Sequence, residues 1–218
     1  MQISNETIQV LKNFASINQN LMIRKGKTIS TISTGKNIFA KAEVAEEFPR
    51  EAAIYDLNSL LSLLTLMENQ NVEFGENSLI ISKGAGKFEY FYASPTVIVA
   101  APEKSIELDT HYQFKLTAEE VSTIMKAAAI TSAPTIYVLA KNGKVTLNVG
   151  DVKNSTSNSY RKEIGTSDLE FQCYMGVDNF KIAPDSYTVT LSKKKAFLFK
   201  HETKPIEYLI AMEPTSEI

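Results

Sequence analysis

The chain contains a single cysteine, Cys173, and no tryptophan. One cysteine cannot form a disulfide within the chain, so we expect Cys173 to be a small, buried apolar side chain. No apolar run approaches the roughly 20 residues that a membrane-spanning helix needs. Residues 1–4 also lack the basic start of a secretory signal. The sequence therefore predicts a protein without a membrane segment that works in a cytosolic environment.

Residues that could carry catalysis or bind a metal are also scarce. The only histidines, His111 and His201, have no partner at metal-ligand spacing, and we expect both to be solvated on the surface. The sequence Gly-Ala-Gly-Lys at 84–87 resembles a phosphate-binding loop, but the first glycine of that motif is missing and Phe88 replaces its Ser or Thr. We predict no enzymatic activity, no metal and no cofactor.

A strong charge of one sign is absent as well. The 23 basic and 25 acidic side chains give a formal net charge of −2. This balance argues against a protein that coats a nucleic acid with its whole surface, but it leaves open one basic face. With 218 residues, of which 44% are hydrophobic, the chain is long enough for two small packed domains.

The first half of the chain shows helical and strand periodicity in a clear order. Helices are predicted at 5–18, capped by Ser4 or Asn5, and at 57–66, capped by Asp56. A hairpin is predicted from 21–23 and 28–32 around a turn at 25–27, and residues 43–51 are expected to form an acidic loop. Further strands are predicted at 37–44, 52–55, 72–74, 79–81, 87–92 and 96–100.

The second half repeats this order after a charged connector at 104–113. Thr117 and Glu120 form a capping box before a helix, and the dipeptide Asn142-Gly143 predicts a hairpin from 135–140 and 144–149. A short helix is expected at 177–181, and strands at 170–174, 187–191, 196–199 and 207–212. We interpret the chain as two similar α+β domains, 1–103 and 114–218. The local sequence identity between the halves is weak enough to arise by chance.

Acidic residues in the predicted helices lie near the helix starts, where they favour the helix dipole. The remaining exposed positions offer Lys12, Lys126 and Lys181 among small neutral polar groups. A face of this kind suits a polyanion held without sequence recognition. The alternative is that these are ordinary solvated helix faces, since an absence of acids over so few positions can arise by chance. A second basic group, Arg24, Lys25 and Lys27, is either a further phosphate contact or a soluble turn.

Two stretches, Leu-Lys-Asn-Phe-Ala-Ser-Ile-Asn at 11–18 and Ala-Ile-Tyr-Asp-Leu-Asn-Ser-Leu-Leu at 53–61, resemble the sliding clamps of T-even-like phages and cyanophages. The resemblance is close over 1–66 and patchy afterward. It implies a DNA clamp fold and a head-to-tail homotrimeric ring, with helices lining the hole and sheets outside. Such a ring encircles double-stranded DNA and gives the phage DNA polymerase processivity, in the cytoplasm of the host cell.

The resemblance also implies binding sites and partners. Lys12, Lys126 and Lys181 would face DNA, with Arg24, Lys25 and Lys27 on a ring face. A clamp loader ATPase and the polymerase would compete for a peptide-docking site near the connector and the last strand. Subunits would meet through strands near 96–100 and 157–164. Late-transcription factors are a further class of partner, as in some relatives. The expected docking residues are Ile106, Leu108, Tyr208, Ile210 and Met212.

Three further points stay open, one about a pair of residues and two about the function of the whole chain. Ile106 and Leu108 are apolar residues within an acidic connector, and they either anchor a partner or hold the connector against the core. The alternative function is a phage structural protein that builds a ring or tube in the virion. An enzyme is the third interpretation, since no set of residues supports one.

Overall fold

A computed structural model describes residues 1–67, 69–103, 107–154 and 156–218. The chain divides into two compact units, Met1–Lys104 and Ser105–Ile218. Each unit combines helix with antiparallel strands, so the prediction of an α+β fold is confirmed.

The helices begin where their capping residues predict. In unit 1, α1 spans Asn5–Ile17 and α2 spans Leu57–Leu66, and the side chains of Ser4 and Asp56 accept backbone amides of their first turns. In unit 2, α3 spans Ala118–Thr131 and starts with the predicted capping box. Each helix packs its apolar stripe inward, which leaves a polar stripe for function.

The strands of unit 1 form two pairs and one three-stranded sheet in the order β5-β6-β7. The pairs are β1 with β4 and β2 with β3. All pairing within these sets is antiparallel. The strands are β1 (Leu21–Ile23), β2 (Gly26–Ile32), β3 (Ile38–Phe48), β4 (Ala52–Ile54), β5 (Asn71–Phe74), β6 (Ser78–Lys83) and β7 (Gly86–Phe91).

Three expectations for unit 1 are wrong. The strand at 21–23 does not form a hairpin with β2, because its buried residues pair with the equally buried β4, Leu21 opposite Ile54. The predicted loop at 43–51 is largely strand, since β3 continues through its acidic residues to Phe48. Residues 96–100 are not a strand: Pro95 lacks an amide hydrogen and begins a short 3-10 turn, Pro95–Val97.

Unit 2 contains a four-stranded sheet in the order β11-β10-β9-β12 and the strand order β15-β14-β13-β8. The predicted Asn-Gly hairpin is confirmed, with Asn142 and Gly143 both at positive φ, 52° and 77°. The strands are β8 (Tyr112–Leu116), β9 (Thr135–Lys141), β10 (Lys144–Gly150), β11 (Tyr160–Thr166), β12 (Phe171–Gly176), β13 (Tyr187–Ser192), β14 (Ala196–His201) and β15 (Ile206–Ala211).

Burial settles the expectations for cysteine and histidine. Cys173 is fully buried, as predicted, and burial raises the pKa of its thiol to about 12. His201 is only 6% exposed, so the expectation of a solvated surface histidine is wrong. Its Nδ1 accepts the backbone amides of Thr203 and Lys204, which stabilises the turn between β14 and β15. His111 is half-buried and packs edge-on against Phe171.

Two sheets have one covered and one open edge. The carbonyl of Met1 accepts the amide of Val72 at the edge of β5, and the tail residue Glu217 pairs with Gln172 at the edge of β12. Within the described residues, no strand pairs with the outer edges of β7 or β11. Chain ends therefore protect one edge of each sheet, while β7 and β11 keep unpaired backbone groups.

Candidate functional site

Lys12 lies in a groove between α1 and α2. Its exposed side chain helps to line two clefts, of about 610 Å³ and about 510 Å³. The second cleft is otherwise lined by neutral side chains, among them Asn58, Ser62 and Thr65. An isolated cation among neutral hydrogen-bonding groups can approach a phosphate without repulsion from neighbouring acids.

Glu46 is the one carboxylate among the described residues that line the larger cleft. Burial alone would raise its pKa, but hydrogen bonds from the Thr7 hydroxyl and from Ser4 lower the pKa below its ordinary value. These donors belong to the start of α1, where the helix dipole favours a negative charge. The carboxylate of Glu46 therefore accepts hydrogen bonds from the first turn of α1 and stabilises the start of this helix.

Lys126 is exposed on α3, beyond the two carboxylates of the first turn. Glu120 is committed to the capping box and to an ion pair with Lys162 of β11. From Val121 to the end of α3 there is no acidic residue. Lys126 therefore resembles Lys12 in its setting, a single exposed lysine on a helix.

The other predicted cations have different settings. The short helix predicted at 177–181 is present as a 3-10 helix, Val177–Asn179, and the half-buried Lys181 lies just beyond its end. The guanidinium of Arg24 donates to the carbonyl of Ala101 and lies 3.2 Å from the carboxylate of Glu103. Lys25 and Lys27 are exposed on either side of Gly26.

The residues proposed for peptide docking separate into three groups. Ile106 lies outside the described residues, and Leu108 is half-buried. The third group, on and just after β15, lies in the core of unit 2: Tyr208, Ile210 and Met212 are 1%, 0% and 7% exposed. Because side chains alternate along a strand, the neighbouring residues that reach the surface are Glu207, Leu209 and Ala211.

The open edge of β7 is a feature that the sequence analysis did not single out. Phe91 is 67% exposed and Phe88 is 37% exposed on this strand. Large apolar side chains beside unpaired backbone groups are typical of a surface that another chain covers. The sequence signal was present in the aromatic residues of 88–92, but alternation alone does not distinguish an edge strand from a central one.

Among the described residues, no group of three or more His, Cys, Asp or Glu could hold a metal ion. No helix within the described residues is long and apolar enough to cross a membrane. The candidate features are, in unit 1, the faces of α1 and α2, the basic turn at 24–27 and the edge of β7, and, in unit 2, the face of α3 and the edge of β11.

Known proteins decide the family. The sliding clamp of Vibrio phage KVP40 is 31% identical over 221 residues, which cover 98% of this chain and 99% of that protein. The chain belongs to the sliding clamps. Those of Escherichia phage RB69 and Enterobacteria phage T4 are each 28% identical over 99% of this chain and 98% of their own. The similarity therefore extends well beyond the first 66 residues.

A family model described as DNA polymerase processivity factor matches residues 4–100 of this sliding clamp. Three solved structures share its fold. PCNA from Entamoeba histolytica has a TM-score of 0.69 at 14% identity, over 94% of both chains. PCNA from Thermococcus kodakaraensis has a TM-score of 0.69 at 18% identity, and the match covers 97% of this chain and 98% of that one. A. fulgidus PCNA bound to the C-terminal region of FEN-1 has a TM-score of 0.68 at 14% identity, and the match covers 96% of both chains. The predicted clamp fold is confirmed.

Proposed function

We propose that three copies of this sliding clamp form a head-to-tail ring around double-stranded DNA and tether a phage DNA polymerase to it. The observation that carries this proposal is the pair of exposed helix faces with one lysine each, Lys12 and Lys126, on a chain of the clamp family. The ring performs no chemistry of its own. It acts in the cytoplasm of the infected host cell.

The DNA-facing surface holds the duplex weakly. Each lysine that neutralises a phosphate releases a counterion, so few such contacts give a small, salt-dependent affinity. A weak hold permits sliding, and the closed ring prevents escape. Lys25, Lys27 and Lys181 contribute at the periphery, and Arg24 contributes only when it leaves Glu103.

The subunits join through the open strand edges. Residues 96–100 do not form the expected strand, and β7 is an edge of unit 1 with which no strand of the described residues pairs. Its counterpart in a neighbouring subunit is β11, at 160–166, which overlaps the segment expected from the sequence. Pairing β7 with β11 would satisfy the backbone groups of both edges and cover Phe88 and Phe91. Two different surfaces that meet head to tail close into a ring when the rotation between subunits permits it.

A partner peptide docks near the connector and the C-terminal strand. The complex of A. fulgidus PCNA with the C-terminal region of FEN-1 supports peptide binding by this fold. In this chain the contact comes from Ile106, Leu108 and the half-buried Leu209. The buried Tyr208, Ile210 and Met212 support the surface from beneath. The polymerase and a clamp loader ATPase share this site, and late-transcription factors are an additional class of partner.

Light scattering over a concentration series tests the ring. We expect a species of three times 24.2 kDa that dissociates on dilution. A monomer at every concentration would contradict the ring and, with it, topological retention on DNA. A second measurement uses clamps loaded on circular DNA, which should be lost when the DNA is cut once. Co-purification with virions, without DNA retention, would favour the structural alternative.

A further inference from the structure

The turn between β13 and β14, Lys193 to Lys195, lies between two chain segments without regular secondary structure. On one side is the end of the connector, 107–110, and on the other is the C-terminal tail, 212–218. All three lysines are exposed. A run of lysines at a turn is ordinarily only solvated. The hydrogen bonds that these lysines make decide whether they do more than that.

The turn binds the connector through three groups. Nζ of Lys194 donates to the carbonyl oxygen of Glu107 at 2.6 Å. The carboxylate of Asp109 accepts the hydroxyl of Ser192 at 2.7 Å and the backbone amide of Lys193 at 3.1 Å. These hydrogen bonds lower the pKa of Asp109 below its ordinary value, so the carboxylate remains an acceptor at neutral pH.

The same turn binds the tail on its other side. Nζ of Lys195 donates to the carbonyl oxygen of Pro214 at 3.0 Å, and its carbonyl accepts the amide of Met212 at 2.8 Å. Lys195 adopts a left-handed backbone conformation, φ 55°, in this turn. Adjacent lysines therefore donate to two different segments, and the Lys193 side chain has no partner among the described residues.

We propose that Lys194 and Lys195 form a clasp that fixes the end of the connector and the start of the tail as one surface. They are positioning residues: they place the segments that contact the polymerase. That these segments contact the polymerase rests on the proposed function. That the lysines fix the segments rests only on contacts within unit 2.

The two segments depend on the clasp to different degrees. The tail has independent hydrogen bonds, from Glu213 to the carbonyl of Tyr174 and from Glu217 to Gln172. In the connector, the other hydrogen bonds among the described residues all lie downstream of Glu107: Asp109 accepts the Ser192 hydroxyl and the Lys193 amide, and the amide of His111 donates to the carbonyl of Leu191. Loss of Lys194 should therefore loosen the connector more than loss of Lys195 loosens the tail.

Hydrogen–deuterium exchange of the full chain tests the clasp. Lys194→Met and Lys195→Met keep the aliphatic stem but remove the donor, and Lys193→Met is the matched control for charge and place. Lys194→Met should accelerate exchange of the His111 amide by roughly threefold to tenfold, as expected for one exposed charged hydrogen bond. Lys195→Met should accelerate exchange of the Met212 and Glu213 amides by a smaller factor. Lys193→Met should leave the exchange of all three amides unchanged. Equal exchange in all variants would overturn the clasp.

Affinity for the polymerase encoded by the same genome tests what the clasp positions. The double variant Lys194→Met with Lys195→Met should bind it at least about threefold more weakly than Lys193→Met, in proportion to the loosened segments. Unchanged affinity, with exchange accelerated, would overturn the positioning role. A parent chain that does not bind the polymerase would contradict the proposed function, whereas the exchange data alone decide the clasp.

Discussion

Oδ2 of Asp185 lies 2.9 Å from Nε2 of His201, at the base of the turn before β15. Since Nδ1 of His201 accepts two backbone amides, the proton of the neutral ring is on Nε2 and points toward the carboxylate side. Nζ of Lys204 lies 2.8 Å from the same oxygen. The pKa of Asp185 is held well below its ordinary value, first by Lys204 and then by His201.

Asp185→Asn should lower the free energy of unfolding by about 1 kcal/mol at pH 7, a modest amount because the side chain is partly exposed. A depressed folded-state pKa means that the stabilisation is complete above the unfolded pKa. It is lost as the pH falls below about 4 towards the folded value. Urea unfolding at pH 7 and at pH 3 should therefore show a smaller difference between parent and variant in acid. Asp168→Asn, at an exposed position, is the control; a difference independent of pH would contradict the assignment.

Gly165→Ala should destabilise β11. Gly165 has φ +154°, and a Cβ there would clash with the hydroxyl oxygen of Tyr112. Backbone strain and the clash together should cost about 1–3 kcal/mol. Tyr112→Phe removes the hydroxyl. The double variant should therefore regain the stability lost to the clash but not the stability lost to backbone strain. A double-mutant cycle by thermal unfolding measures this coupling, and strictly additive effects would mean that the two residues do not meet.

Lys12→Glu combined with Lys126→Glu should reduce processive synthesis on a primed circular template by roughly tenfold, with a weaker salt dependence. Both lysines would face phosphate in the proposed ring, so the trimer mass should not change. Lys83→Glu with Lys200→Glu reverses the same charge on exposed strand positions and should have little effect. Equal losses in the two double variants would point to net charge rather than to these helix faces.

Phe91→Asp should weaken trimer association about tenfold, because it places a charge in an interface that buries an aromatic ring. Leu169→Asp is a suitable control, since Leu169 is 60% exposed in a loop of unit 2. Sedimentation velocity at several concentrations measures both. An unaltered dissociation constant for the Phe91 variant would place the subunit contact on a different strand.

Ile106→Ala with Leu108→Ala should weaken polymerase binding. If these side chains instead hold the connector against the core, the variant should lose thermal stability while its affinity stays the same. A binding titration and a melting curve on the same sample distinguish the two roles. Glu107→Gln, at the exposed position between them, controls for any change in the connector.

Much of the fold could be predicted because it depends on local chemistry. Ser4, Asp56 and Thr117 cap their helices through residues three positions away, and Asn142-Gly143 sets its own turn conformation. The candidate site was predictable to the same extent. Lys12 and Lys126 follow from helical periodicity, which determines the exposed face within a few residues.

The sequence by itself determined the three helices, most strands and the family, because capping, turn chemistry and periodicity act between near neighbours. Only the tertiary structure decided that β1 pairs with β4 instead of β2, and that His201 and Tyr208 are buried. It alone left the edges of β7 and β11 open and placed Lys194 and Lys195 between connector and tail. These features join residues up to 87 positions apart. Pairing over such distances depends on which buried surfaces fit together, and no local pattern encodes that choice.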